Sequence, residues 1–103
     1  MDRVTMLNEI LAHNPNDAFA LYGLAMEYSK SGEVERALEQ FTRLISTNPD
    51  YTAGYFMAAQ TLVKAGRTND AKQMLGDGIA SAQQKGDGHA LSEMQAMLQE
   101  IST

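Results

Sequence analysis

From Asn14 to Pro49 the chain reads NPNDAFALYGLAMEYSKSGEVERALEQFTRLISTNP, a stretch that closes on the dipeptide it opened with. Seven of the thirty-four residues from Asn14 to Thr47 recur unchanged thirty-four places later: Asn14-Pro15 as Asn48-Pro49, Ala25 as Ala59, Lys30 as Lys64, Gly32 as Gly66, Ala37 as Ala71 and Ile45 as Ile79. A fixed period of this length marks an array in which each unit buries a face that its neighbour supplies.

Inside the unit, Asn16 or Asp17 can cap a helix that runs to about Ser29, with Leu21, Leu24, Ala25 and Tyr28 on one face at helical spacing. Gly32 ends it. Glu33 and Glu35 open a second helix, where negative charge is favourable, and Arg43 near its end is expected to pair with Glu39 four residues back. The buried stripe of that helix is Ala37, Phe41, Leu44 and Ile45. Asn48-Pro49 breaks it, because proline disfavours helical dihedrals in the residue before it.

The next hairpin keeps the register, with Tyr55, Ala58, Ala59 and Leu62 as its inner stripe, Gly66 at the turn, and Ala71, Leu75, Gly78 and Ile79 on the return. Leu7 and Leu11 align with Phe41 and Ile45, so the opening helix, Asp2 to Ala12, reads as the second half of a truncated unit. Forward of Ile79 the period breaks: the helix continues to about Lys85, Gly86-Asp87-Gly88 turns the chain, and a last helix spans roughly His89 to Ile101. Its Leu91, Met94 and Leu98 have first-helix spacing displaced by two residues, and its polar other side suits a solvating cap.

Small residues at the helix crossings, a glycine at the inner turn and a proline at the outer turn together resemble the tetratricopeptide repeat. In the first copy Leu21, Leu24, Ala25, Tyr28, Gly32, Ala37, Phe41 and Pro49 stand where that family has its large, leucine, small, aromatic, glycine, alanine, aromatic and proline residues. The second copy is degenerate: it keeps Tyr55, Ala59, Gly66 and Ala71, but has Ala58 for the leucine, Leu62 and Leu75 for the aromatics, and no closing proline. The resemblance implies an all-α fold, a short right-handed solenoid of about six helices in antiparallel hairpins. It divides one domain, 1–103, into a partial repeat helix (1–14), repeat one (16–49), repeat two (50–85) and a capping helix (87–103).

Composition narrows the function. A chain of 103 residues, 44% hydrophobic and 20% charged, is one domain with a real core. With no cysteine it has no thiolate metal site or disulfide, and without a secretory apolar segment at the start the expected location is cytoplasmic. A net charge of −5, with eight scattered basic residues, argues against nucleic-acid binding, and no membrane role is indicated. The enzyme reading fails on inventory, with no nucleophile beside a base and no phosphate-binding loop after a strand. His13 and His89 are single residues beside turns, which fits solvation or capping better than coordination, and no cofactor or metal is implied. Gly76-Asp77-Gly78 reads as a close-packing point within a helix, and Gly86-Asp87-Gly88 as a turn.

What the array leaves over is a second apolar stripe, and the resemblance implies that such first-helix positions line a concave groove for a protein or peptide partner. Phe19, Tyr22 and Met26 lie on it in the first hairpin, and Ala53, Phe56, Gln60 and Val63 in the second with Met57 beside them, while Lys30 and Lys64 flank one end. An apolar peptide or helix is the expected ligand, with the methionines adapting to its shape. Tyr22 and Phe56 are expected to be the exposed members, although the same side chains serve as core if the end helices fold across them. The family's clamp for a C-terminal carboxylate needs basic and amide side chains where this chain has Tyr22, Met26, Phe56 and Gln60. The alternative to an interaction module is self-association, a homodimer through the groove or through Leu91, Met94, Met97, Leu98 and Ile101 of the last helix.

Overall fold

The computed structural model describes residues 2–103, and within them the chain forms six α-helices and no strand. They are α1 (Arg3–His13), α2 (Ala18–Lys30), α3 (Val34–Thr47), α4 (Thr52–Lys64), α5 (Thr68–Lys85) and α6 (Gly88–Ile101). Aspartates start three of them: Asp2, Asp17 and Asp87 each accept a backbone N–H three residues on, from Thr5, Ala20 and Ala90. The helix after Asn14-Pro15 is therefore capped by Asp17 and not by Asn16.

Three turns use the same device. Gly32, Gly66 and Gly86 each have φ of 78°, and the residue after each returns its N–H to the carbonyl five residues back, Glu33 to Tyr28, Arg67 to Leu62 and Asp87 to Ala82. Only glycine takes that left-handed conformation without strain. The third turn stands where the earlier units have Asn-Pro. Lacking a proline there, α5 runs to 18 residues against 14 for α3, and the extra turn displaces α6 from the strict period.

Packing follows the repeat. α2 lies against α3 and α4 against α5 as two hairpins, α3 and α4 join them, and α1 and α6 cover the ends. Ala25 and Ala37 at one crossing, and Ala59 and Ala71 at the other, are fully buried, which lets the helices approach closely. Around them sit three contiguous clusters: Leu7 with Ala20 and Leu24; Phe41 with Leu21, Leu44 and Ala58; and Leu75 with Tyr55, Leu62, Ala82 and Met94. Glu39 and Arg43 are both exposed and form no pair, since water competes well for such i, i+4 charges. Glu35 instead reaches Arg67 at the turn of the next hairpin, and Arg67 also holds Asp70 at 3.0 Å.

Candidate functional site

The first helices of successive units, α2, α4 and α6, run side by side in one direction. The Ser29 and Thr61 hydroxyls bond at 2.8 Å near the ends of α2 and α4, and Thr52 at the start of α4 donates to Asp87 at the start of α6 at 2.9 Å. Between these helices lies a cleft of about 250 Å³. Tyr22 comes from α2, Ala53, Phe56 and Met57 from α4, and Ala90 and Glu93 from α6. Thr52, Asp87 and His89 complete the lining.

The larger apolar side chains of the cleft are seated by the core beneath them. The Tyr22 ring stands edge-on to Phe41, with centroids 6.4 Å apart and planes at 72°, and lies against Tyr51 at 5.5 Å. Partial burial, and then the neighbouring Tyr51, push the Tyr22 hydroxyl above its ordinary pKa, so it stays neutral and can donate a hydrogen bond. Phe56 packs on the Leu75 cluster and Met57 on the Phe41 cluster. The expectation that Tyr22 and Phe56 are the exposed aromatics is therefore corrected: both are half-buried, and Phe19, one turn earlier on α2 and outside the cleft lining, is the open one at 60% exposure.

The other residues assigned to the groove scatter. Met26 is half-buried against the Phe41 cluster and Val63 against the Leu75 cluster, and Gln60 is half-buried on α4. Lys30 lies 3.8 Å from Glu27 and lines a separate surface depression with Val4, Tyr28 and Arg36, while Lys64 is exposed and outside the cleft. The apolar side of α6 is used internally. Met94 is fully buried, and Leu91, Met97, Leu98 and Ile101, each partly exposed, pack on the same cluster.

The sequence reading allowed the end helices to fold across the stripe but named no residue of α6 in the groove, although the displaced first-helix spacing of Leu91, Met94 and Leu98 was the signal that α6 occupies a first-helix place. His89 is solvated at 88% side-chain exposure, with Nε2 3.0 Å from a Glu93 oxygen, and the capping at this turn falls to Asp87. Gly76 has open space beside it, so only Gly78 of that pair is a close-packing point. Among the described residues no group of three or more His, Asp or Glu is placed to hold a metal, and no helix is long and apolar enough to cross a membrane.

Asp87 ties the cleft to stability. The Ala90 N–H and then the Thr52 hydroxyl hold its carboxyl below the ordinary value of 3.8. A depressed folded-state pKa gives stability that is fully present above 3.8 and is lost as the pH falls through the lower folded value. Asp87→Asn keeps a capping side chain but no titrating charge. Its melting temperature is expected to fall less steeply with acid than the parent's in that window, as thermal melts over a pH series would show.

Comparison with known proteins agrees with this architecture. Tetratricopeptide repeat profiles match residues 28–98, more than half of the chain, and residues 6–39. A repeat-containing protein of Pseudomonas aeruginosa is 32% identical over 95 residues, covering 92% of this chain and 90% of that one. A tetratricopeptide repeat domain protein of Salinibacter ruber, solved in solution, superposes with a TM-score of 0.78 at 34% identity, covering 85% of this chain and 89% of the other. PcrH, crystallised with the chaperone binding region of PopD, has the same fold at a TM-score of 0.87 and 18% identity, covering 96% of this chain and 75% of its own. Matched by a repeat profile over more than half of its length and by a relative 32% identical across 92% of it, the chain belongs to the tetratricopeptide repeat family.

Proposed function

We propose that the cleft between α2, α4 and α6 binds a short segment of a protein partner, seating an apolar side chain between Tyr22, Ala53 and Phe56. The tetratricopeptide repeat is a general protein–protein interaction module and its family is generally a non-catalytic scaffold. The observation that carries this reading is a cleft of about 250 Å³ with an apolar floor, bounded by three helices and floored by side chains that the core already holds. Its aromatic rings are held by the core and do not need ordering on binding, which lowers the entropic cost of association. PcrH, of the same fold, has been crystallised with a segment of PopD, so this fold can hold a polypeptide.

Ala53 gives a clean test, because it lines the cleft yet is exposed, so enlarging it leaves the core untouched. Peptides selected from a random display library should shift the backbone resonances of Tyr22, Ala53, Phe56 and Met57. Ala53→Trp should weaken them by about tenfold or more, which is about 1.4 kcal/mol, with an unchanged melting temperature. Shifts confined to another face, or full affinity in Ala53→Trp, would remove the cleft from the binding function. If light scattering finds a parent dimer that Ala53→Trp converts to monomer, the occupant of the cleft is a second copy of the chain.

A further inference from the structure

The cleft has an apolar floor and a wall of one sign. Its two carboxylates, Asp87 and Glu93, both belong to α6 and its cap, and no lysine or arginine lines it. Asp87 is fixed in place: one oxygen accepts the Ala90 N–H at 3.1 Å and the other the Thr52 hydroxyl at 2.9 Å. Those two bonds favour its charged form, and it makes no ion pair among the described residues. Glu93 reaches only His89, whose ring is 88% exposed and so is easily exchanged for another donor.

The cations nearest this wall are Lys85 and His89, which both bear on Asp87, but the Lys85 ammonium donates to the Asp50 carbonyl at 3.1 Å and lines a separate depression with Asp50 and Tyr55. Lys30 and Lys64 are each eight residues beyond the cleft's rings, Tyr22 and Phe56. At 1.5 Å of rise per residue that is about 12 Å, beyond a Debye length of about 8 Å at physiological salt. Lys30 is moreover beside Glu27 at 3.8 Å. Charges beside an apolar surface act more strongly than in open water, and an acidic segment entering the cleft would meet two like charges.

Building on the peptide-binding reading above, we infer that the cleft selects a basic–apolar segment, in which a leucine-like side chain has a lysine or arginine within two residues of it. The apolar group enters between Tyr22, Ala53 and Phe56, and the cation meets Glu93 with Asp87 behind it. Glu93 exchanges its exposed imidazole partner for the incoming ammonium or guanidinium, and the five negative charges of net excess on the chain draw such a segment in.

The test uses the full chain and three blocked dodecapeptides that carry one leucine and differ only in the residues flanking it: lysine, glutamine or glutamate. Titrations followed by backbone resonances should give the order lysine, glutamine, glutamate, with about tenfold between the extremes at low salt and a smaller gap at high salt. Glu93→Lys, at a side chain 48% exposed and therefore tolerant, should reverse the order. Asp87→Asn should narrow the gap without reversing it. Equal affinities of the three peptides at the cleft would overturn the charge selection and leave peptide binding standing. An order unchanged by Glu93→Lys would also overturn it, placing the cation elsewhere. If none of the peptides perturbs the cleft resonances, peptide binding there and the selection fail together.

Discussion

Phe41→Ala is expected to lower the free energy of unfolding by about 3 to 5 kcal/mol, the range for truncating a fully buried phenylalanine. The ring is 0% exposed and packs among Leu21, Ala25, Ala37, Leu44 and Ala58, residues drawn from α2, α3 and α4. Its removal therefore opens a cavity where the first hairpin meets the second, and helices tied to neighbours on several sides collapse poorly into such a gap. Small domains have only about 5 to 15 kcal/mol of net stability, so the loss is a large share of the whole. The effect reaches the cleft as well. The Tyr22 ring rests edge-on against Phe41, and without that support it has more freedom to lose on binding. Urea unfolding followed by circular dichroism measures the first effect, and the cleft resonances of the folded variant report the second. A loss below about 1 kcal/mol would mean that the hairpins are held together elsewhere than this cluster.

The features legible in the sequence were those fixed by local chemistry. The left-handed turns at Gly32 and Gly66 and the breaks at Asn14-Pro15 and Asn48-Pro49 demand particular residues, so the helix order could be read without any knowledge of packing. Periodicity likewise placed Tyr22, Ala53 and Phe56 on a face distinct from the hairpin core, and all three line the cleft. Their exposure was not legible. Tyr51, a residue of the connection before α4, covers part of Tyr22, and helical spacing carries no information about a side chain outside the helix. The α6 wall was hidden for a related reason. It is set by the Thr52–Asp87 bond between residues 35 apart in sequence and by the additional turn of α5, neither of which belongs to the repeat. Charges misled in the same way: Glu35 and Arg67, 32 apart, pair across hairpins, whereas Glu39 and Arg43 remain solvated.

Two glycines on one helix separate the demands of packing from those of the backbone. Gly76 and Gly78 both lie within α5, where glycine costs about 1 kcal/mol relative to alanine, so local propensity predicts that either replacement stabilises. The surroundings divide them. A Cβ at Gly76 meets nothing within 4 Å, whereas at Gly78 it would stand 2.5 Å from the Met94 sulfur and 2.6 Å from the Tyr55 Cβ. The Met94 thioether can turn aside, but the Tyr55 Cβ is bound directly to the α4 backbone, so the helices themselves must separate. Overpacking of this kind costs about 1 to 3 kcal/mol or more, and here it falls where α4, α5 and α6 converge. Gly76→Ala is accordingly expected to raise the unfolding free energy by about 0.5 to 1 kcal/mol, and Gly78→Ala to lower it by about 1 to 3 kcal/mol. Because α6 forms one wall of the cleft, Gly78→Ala should also weaken peptide binding, while Gly76→Ala should leave it unchanged. Denaturant unfolding of the two variants beside the parent decides the matter. Changes of the same sign at both positions would show that α6 moves away from α5 at little cost and that the cleft wall is not rigidly held.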